Sequence, residues 1–270
     1  MNGLLYTTIQ LASTGGVATI TLNRPQRLNA LNAVMIGELR HALKAVTDSP
    51  ALRCLLLTGT GRGFCAGADL VEPGGTSASG RDTGDVIAER MDAMWNPLMR
   101  DLAALPIPVV VAVNGPAAGG GVGLALTGDI VIAAKSAYFA MVFGPQLGLV
   151  PDLGSSWLVP HLAGLGRAAA LALTGERFSA KAAAATGLIW RCTEDAALLP
   201  EATRIAERLS RGPTAGLKLI KQALAQSWQN SLEQQLGLER ELQRQAGDTA
   251  DFVEGVAAFQ AKRQPIFKGQ

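Results

Sequence analysis

Two short glycine-rich stretches decide the fold of this chain: FCAGADL at residues 64–70 and NGPAAGGGVG at residues 114–123. Each stretch follows an apolar, strand-like run, and the second leads into a helix-like run. Small residues leave backbone N–H groups uncovered, and the start of a helix adds a partial positive charge. Two such turns facing each other could stabilise an oxyanion or an enolate. Glycines can equally serve only tight turns and close packing.

The composition is that of a folded, nearly neutral protein. The chain has 270 residues, of which 48% are hydrophobic, so we expect one large domain or one domain with a small appendage. The net charge is +2, with basic and acidic residues interspersed, which argues against a nucleic-acid surface. Apolar runs stay well below about eighteen residues, so we expect no membrane span.

Cysteine and histidine usage point to a reduced protein without a metal centre. Cys54, Cys65 and Cys192 are odd in number and widely spaced, and the N-terminus reads unlike a secretory signal. We therefore expect reduced thiols and a cytoplasmic location. His41 and His161 are the only histidines, which excludes a site built from several histidines.

Hydrophobic periodicity alternates between strands and helices in the first half of the chain and is helical afterwards. Strands are predicted at residues 17–22, 52–58, 109–113 and 130–133, and a mobile loop at 72–85. Helices are predicted at 32–46, 86–104, 119–127, 155–162, 167–173, 180–185, 196–209, 214–225 and 232–246. This order predicts an α/β fold with a largely parallel sheet, comprising a core at 1–200 and a C-terminal helical region at 201–270 that could pack on a partner subunit.

Several common site motifs are missing. The dinucleotide-binding pattern G-x-G-x-x-G fails, because Gly119 and Gly121 are followed by Leu124. The phosphate-binding P-loop and the G-x-S-x-G and H-E-x-x-H motifs are also absent. Two backbone-donor turns without a conspicuous nucleophile suit enolate chemistry, in which the protein holds a thioester oxygen and moves a proton.

Several spaced motifs together resemble the crotonase (enoyl-CoA hydratase/isomerase) superfamily. They are Asn23-Arg24-Pro25 with Asn29-Ala30-Leu31, residues 64–70, residues 114–121, and the ending EGVAAF at 254–259 with KRQP at 262–265. The resemblance implies a spiral of ββα units with a helical C-terminal region that assembles as homotrimers or hexamers. It also implies an acyl-CoA substrate, with coenzyme A entering as the thioester and no separate cofactor.

The resemblance places individual residues in the site. The backbone N–H groups of Ala68 and Gly120 would hold the thioester oxygen. Ala66, Asp69 and Leu70 would line the coenzyme A side, although Asp69 is also a typical turn or helix-capping residue. The candidate phosphate contacts Arg24, Arg27, Lys262 and Arg263 could instead be solvated surface residues, and Phe259 could pack on the adenine or in the core.

Two acidic positions of the hydratases lack an acid here. The resemblance places one hydratase glutamate at Gly123 and the other at Gly144. Water addition needs a base for the water and an acid for the α carbon, so their absence argues against an ordinary hydratase. The alternatives that stay open are a hydratase or thioester hydrolase with a different site, and a non-catalytic relative that only binds CoA esters.

Asp152 is the acid that remains near this site. It follows GLVP at residues 148–151 and precedes LGSSW at 153–157. On sequence alone it could be a helix cap or a base whose pKa is raised by burial. The surrounding block most resembles the ring-1,2-epoxyphenylacetyl-CoA isomerase type, which implies that Asp152 moves the proton in an isomerisation of a double bond or a ring epoxide.

The remaining candidates receive structural interpretations. Asp129 is expected to make backbone contacts, and Cys65 to be a small buried filler. His161 is expected to meet solvent or a helix end. Trp157 and Trp190 are expected in the core or the pocket wall.

Overall fold

The buried, β-branched runs of the sequence form the centre of a six-stranded sheet. The computed structural model describes residues 6–70 and 83–270. The strands in these ranges are β1 (Ile9–Thr14), β2 (Val17–Leu22), β3 (Cys54–Gly59), β4 (Val109–Val113), β5 (Ala117–Ala118), β6 (Ile130–Ala134), β7 (Tyr138–Ala140), β8 (Phe178–Ser179) and β9 (Arg191–Thr193).

The larger sheet has the order β1-β2-β3-β4-β6-β9, and β5, β7 and β8 form a smaller one. Only β1 and β2 are antiparallel in the larger sheet; the other neighbours are parallel. Every residue of β4 is buried, as expected for a parallel strand covered on both faces. The predicted parallel sheet is therefore confirmed, and all four predicted strands are present. β1 was not predicted.

The helices cover the sheet and continue past it. They are α1 (Ala33–Thr47), α2 (Thr83–Arg90), α3 (Asn96–Ala103), α4 (Gly120–Leu126), α5 (Ser155–Ala163), α6 (Leu165–Thr174), α7 (Ala180–Ala185), α8 (Leu198–Ser210), α9 (Thr214–Ser227), α10 (Leu232–Gly247) and α11 (Ala250–Gln260). Short 3₁₀ segments lie at Pro25–Arg27 and Asp195–Ala197, and π-helical turns at Met91–Trp95 and Phe143–Leu147.

Local side-chain chemistry sets several helix starts. The Asn32 side chain accepts a hydrogen bond from the Met35 N–H at the start of α1, and Ser231 and Gln234 form a capping box at α10. The single helix predicted at 86–104 is instead α2, a π-helical turn and α3. Most of the predicted loop at 72–85 lies outside the described residues, and 83–85 belong to α2.

The C-terminal helical region begins later than its predicted boundary at residue 200. That boundary falls inside α8, whose residues Ala202, Ile205 and Ala206 are buried in the main core. Helix α8 packs against β3 and β4. In contrast, α9 has no buried residue, and large apolar side chains of α9 to α11 such as Leu224, Leu232 and Phe259 are exposed.

The two glycine-rich stretches pack directly on each other. The Ala118 N–H donates to the Cys65 carbonyl oxygen at 2.9 Å, and the Phe64 N–H to that of Pro116 at 3.0 Å. A methyl group at Gly121 would lie only 2.1 Å from the Cys65 carbonyl oxygen. Glycine at 121 is therefore required for α4 to approach the 64–70 stretch.

We predict that Gly121→Ala destabilises the protein by about 3 kcal/mol or more, because the added methyl overlaps backbone that cannot rotate away. Thermal or denaturant unfolding measures this loss. Gly37→Ala is the control: this α1 glycine is exposed and has nothing within 4 Å of the Cβ position, so alanine should be neutral or stabilising by up to about 1 kcal/mol. Equal stabilities of the two variants would contradict the packing argument.

Candidate active site

Two isolated parallel bridges hold the 64–70 stretch in place. Cys65 pairs with Ala117, and Ala68 pairs with Leu31. The second bridge uses the Leu31 N–H, which donates to Gly67 O at 2.7 Å, and the Asp69 N–H, which donates to Leu31 O at 2.9 Å. The N–H of Ala68 itself takes no part in this pairing and is left pointing away from Leu31.

The second backbone donor lies beside the first stretch. Gly120 is the first residue of α4, so its N–H precedes the hydrogen bonding within the helix. A Cβ at Gly67 would lie 2.9 Å from the Gly120 nitrogen, which shows how closely the two turns approach. Gly119 has φ +51° and ψ −132°, a conformation open essentially to glycine alone. The turns thus bring Ala68 and Gly120 together as the sequence predicted.

Two buried asparagine amides brace the loop before the 64–70 stretch. The Asn29 Nδ2 donates to the carbonyl oxygens of Thr60 and Gly63 at 3.0 and 2.9 Å, and its Oδ1 accepts from the Arg24 N–H. Asn114 Oδ1 accepts from the Gly59 N–H, while its Nδ2 donates to Gly61 O at 3.0 Å. Both residues belong to motifs that carried the resemblance, and their role here is to fix the loop.

Arg24 and Asp69 form an ion pair rather than a pair of ligand contacts. Arg24 Nη2 lies 2.8 Å from Asp69 Oδ2, and the two side chains are only 14% and 5% exposed. Arg24 Nη1 also donates to Ala30 O at 2.6 Å. The guanidinium is therefore committed to the framework, so a phosphate contact by Arg24 is disfavoured, and the Asp69 carboxylate is neither a helix cap nor free to face coenzyme A.

Asp152 lies at the mouth of this arrangement. A side chain at Gly120 would begin 3.3 Å from Asp152 Oδ1 and 2.5 Å from Leu153 Cδ1. Helix α5 has Gly154 as its N-cap and no side-chain capping hydrogen bond, so the capping role considered for Asp152 is wrong. The carboxylate instead points to the backbone donor of α4.

The environment of Asp152 favours its neutral form. Oδ1 is buried and has no hydrogen-bond partner among the described residues. Burial raises the pKa of Asp152 from 3.8 to about 6, partly offset by a backbone hydrogen bond. Desolvation penalises the charged carboxylate, and a carboxyl group with a pKa near the working pH can both take up and return a proton.

The turn that carries Asp152 is strained. Leu153 has φ +44°, and Gly154 has φ +73°, so two successive residues are left-handed. A leucine in this region costs on the order of 1–3 kcal/mol. Leu153 is buried and packs against α4, which holds the turn in this conformation. The sequence carried no signal for this strain.

The two empty acid positions differ in structure. At Gly123, a Cβ would lie 1.9 Å from the Leu153 carbonyl oxygen and 3.0 Å from Ser155 Oγ. At Gly144, in the π-helical turn, the nearest atom to a Cβ would be Ala172 O at 3.5 Å. Gly123 is thus closed to any side chain by the Asp152 turn itself, whereas Gly144 has room for one.

The predicted coenzyme A contacts divide into two groups. Ala66 and Leu70 flank the Ala68 donor, and the Leu70 side chain is largely exposed. Arg27, Phe259 and Lys262 are also exposed, and Phe259 at 85% exposure is not part of the core. Lys262 has φ +51° at the end of α11. The binding roles of these residues stay predictions. The Arg263 guanidinium pairs with Glu254 at 2.6 Å.

The lesser candidates are mostly structural. Asp129 accepts a hydrogen bond from the Val109 N–H at 2.7 Å, as predicted. Cys65 is buried, which raises the pKa of its thiol to about 12. His161 was expected to meet solvent or a helix end, but its ring stacks on Trp228 at 4.5 Å. Trp157 and Trp190 are exposed by 44% and 66%, so neither is a core residue in the single chain.

Two further searches of residues 6–70 and 83–270 gave no site. These ranges hold no group of three or more His, Cys, Asp or Glu side chains that could bind a metal ion. None of their helices is both long enough and apolar enough to cross a membrane. The predicted cytoplasmic location stays a prediction.

The paired backbone donors with one adjacent carboxyl group define a class of protein that related sequences also identify. The enoyl-CoA hydratase/isomerase family model matches residues 12–270. The chain therefore belongs to the enoyl-CoA hydratase/isomerase family, the crotonase superfamily, and the predicted fold class is confirmed.

Individual relatives narrow the comparison. The chain is 50% identical over 259 residues to the 1,2-epoxyphenylacetyl-CoA isomerase of Escherichia coli (strain K12), covering 94% of this chain and 96% of that protein. It is 42% identical over 265 residues to a "Probable enoyl-CoA hydratase" of Rhodobacter capsulatus, covering 98% and 99%. The crystal structure of enoyl-CoA hydratase from Bacillus anthracis superposes with a TM-score of 0.90 at 33% identity, covering 98% of this chain and 100% of that one.

We predict that Gly123→Glu destabilises the protein by about 3 kcal/mol or more and gains no hydration of crotonyl-CoA, because its Cβ overlaps the Leu153 carbonyl. Gly144→Glu, where the Cβ position is open, should fold like the parent. Unfolding curves and a crotonyl-CoA hydration assay compare the two. A stable Gly123→Glu variant that hydrates crotonyl-CoA would contradict the proposed packing.

We predict that Asp152→Asn is more stable than the parent at pH 8. The folded-state pKa of Asp152, about 6, lies above its unfolded value, so the folded protein binds the proton more tightly. The parent therefore loses stability as the pH rises from about 4 through 6, and asparagine does not. After discounting for partial hydration, we expect a gain of about 1–2 kcal/mol at pH 8 that shrinks towards pH 4.

Thermal unfolding across this pH range measures the difference. Asp248→Asn is the control, because Asp248 is an exposed residue paired with Arg244 and should show no comparable gain. A parent and an Asp152→Asn variant with parallel pH profiles would show that the Asp152 carboxyl is not desolvated.

Proposed function

We propose that this protein is an acyl-CoA isomerase that works through a thioester enolate, with Asp152 as the proton shuttle. The observation that carries the proposal is the position of Asp152 Oδ1, which is buried, unpartnered and 3.3 Å from where a side chain at Gly120 would begin. The only other polar side-chain atom in this state within the described residues is Ser155 Oγ. A proton-transfer group next to an oxyanion donor is the arrangement that enolate chemistry requires.

In the proposed mechanism the N–H groups of Ala68 and Gly120 hold the thioester oxygen. The Asp152 carboxylate removes a proton from the carbon next to the double bond, and the electrons move onto the thioester oxygen as a dienolate. The resulting Asp152 carboxylic acid returns the proton at the other end of the conjugated system. Each backbone donor would contribute roughly 3–4 kcal/mol of transition-state stabilisation if it behaves like better-known oxyanion holes.

The choice of isomerisation rests on having one carboxyl group rather than two. Isomerisation ends with the same proton count as it began, so one group suffices. Hydration needs one group to activate water and one to protonate the α carbon, and the second position is closed at Gly123. The relative at 50% identity carries the name of an isomerase, which supports this choice, and its name makes a ring-epoxide thioester the first substrate to test.

A hydratase is the second candidate, because the relative at 42% identity is named a probable enoyl-CoA hydratase. Crotonyl-CoA hydration assayed beside 3-enoyl-CoA isomerisation separates the two activities. The same panel of esters reports on the remaining alternatives. Release of free coenzyme A would indicate a thioester hydrolase, and binding of every ester without turnover would indicate a non-catalytic relative.

The expected homotrimer or hexamer is also part of this proposal. Support comes from the exposed apolar side chains on α9, α10 and α11, including Leu224, Leu236 and Phe259. An apolar cavity of about 520 Å³ lies among α11, the start of α9 and the chain end, lined in part by Phe252, Val256 and Phe267. Association would bury this surface and bring Phe259 and Lys262 towards a neighbouring ligand.

We predict that Asp152→Asn lowers the rate of 3-enoyl-CoA isomerisation by about 10²–10⁴-fold, the usual contribution of a general acid–base group. Binding of the CoA ester should change little, because the backbone donors are intact. Absorbance of the conjugated thioester follows turnover, and calorimetry follows binding. Asp248→Asn should keep parental rates. An Asp152→Asn variant with normal turnover would refute the assignment.

A further inference from the structure

Two buried polar atoms without a partner lie at opposite ends of one turn. Within residues 6–70 and 83–270, Asp152 Oδ1 and Ser155 Oγ are the only buried side-chain nitrogen or oxygen atoms that lack a hydrogen bond. Ser155 is fully buried. A buried polar group without a partner costs about 1–3 kcal/mol, so two of them three residues apart suggest one shared arrangement.

Both atoms face the same side of α4. A Cβ at Gly120 would lie 3.3 Å from Asp152 Oδ1, and a Cβ at Gly123 would lie 3.0 Å from Ser155 Oγ. Positions three apart on a helix have Cβ atoms only about 5–6 Å from each other. The two oxygens therefore adjoin neighbouring positions on a helix face from which side chains are absent, and a span of that size is one that a single water molecule bridges.

The backbone of the turn fixes this geometry. The Ser155 N–H donates to the Asp152 carbonyl oxygen at 2.9 Å, and the left-handed residues Leu153 and Gly154 lie between them. Both side chains thus leave from a closed turn. A hydroxyl group can donate to a carboxylate or to a water that does so.

We infer that Ser155 is a positioning residue for Asp152, connected to its carboxylate by a hydrogen-bonded link through one buried water. The link holds the carboxylate towards Gly120 and stabilises its charged form. This inference rests on the proposed function for its catalytic meaning, but the link itself does not depend on it.

The link predicts a shift of the Asp152 titration that can be measured without turnover. No charged side chain of the described residues contributes to the raised pKa of Asp152, whose causes are burial and one backbone hydrogen bond. Loss of a donor to the charged form should therefore raise this pKa further, by about one unit. A merely space-filling serine would leave it unchanged.

The experiment follows the infrared carbonyl band of protonated Asp152 in the intact protein as a function of pH. The band is identified as the one that Asp152→Asn lacks. Ser155→Ala should move the titration midpoint upwards by about one unit. Ser155→Cys, with a weak S–H donor, should move it less in the same direction. Ser156→Ala is the control, because Ser156 is the exposed neighbour, and should leave the midpoint in place.

The outcomes are separable. An unchanged midpoint in whichever Ser155 variant folds overturns the link. A shifted midpoint together with normal isomerisation by Asp152→Asn keeps the link and refutes the proposed function. If both hold, Ser155→Ala should lower kcat with little change in KM, and the acidic limb of its kcat/KM profile should move upwards with the infrared midpoint.

Discussion

The close contact between two backbone turns is the constraint on which the rest of the structure depends. Gly121 lets α4 rest on the Cys65 carbonyl, and Gly67 lets the first turn approach the Gly120 nitrogen. Neither contact tolerates a side chain, and both are required before Ala68 and Gly120 can present N–H groups to one oxygen. Preorganised donors of this kind need no rearrangement during the reaction, so the packing of glycine on backbone is itself part of the catalytic design.

The polar network behind the turns has the same purpose. Asn29 and Asn114 tie the loop before the first turn, and the Arg24–Asp69 ion pair fixes its far end. These groups are buried or nearly so, where a satisfied network is rigid and a broken one is costly. Rigidity here keeps two peptide groups in register, while the exposed helices α9 to α11 are left to other contacts.

Much of the fold could be predicted from the sequence, because its signals are local. The buried strands and α1 follow from periodicity, and the glycine motifs with their resemblance located Ala68, Gly120 and Asp152. The Arg24–Asp69 pair could not be predicted, since it joins residues 45 apart whose side-chain directions depend on the completed fold. The strained Leu153 and buried Ser155 had no sequence signal, and the short strands β8 and β9 contain too few residues to produce a pattern.

The position of the acid explains why one helix face has lost its side chains. Gly120 and Gly123 leave that face of α4 bare, and the carbonyl of Leu153 occupies the space that a side chain at 123 would need. A carboxylate on α4 and the left-handed turn at Leu153 therefore exclude each other sterically. A chain with this turn gives up an acid on the helix and gains a desolvated aspartate beside the oxyanion donors. The number of carboxyl groups at the site, and with it the choice between moving a proton and adding water, is thus set by backbone packing.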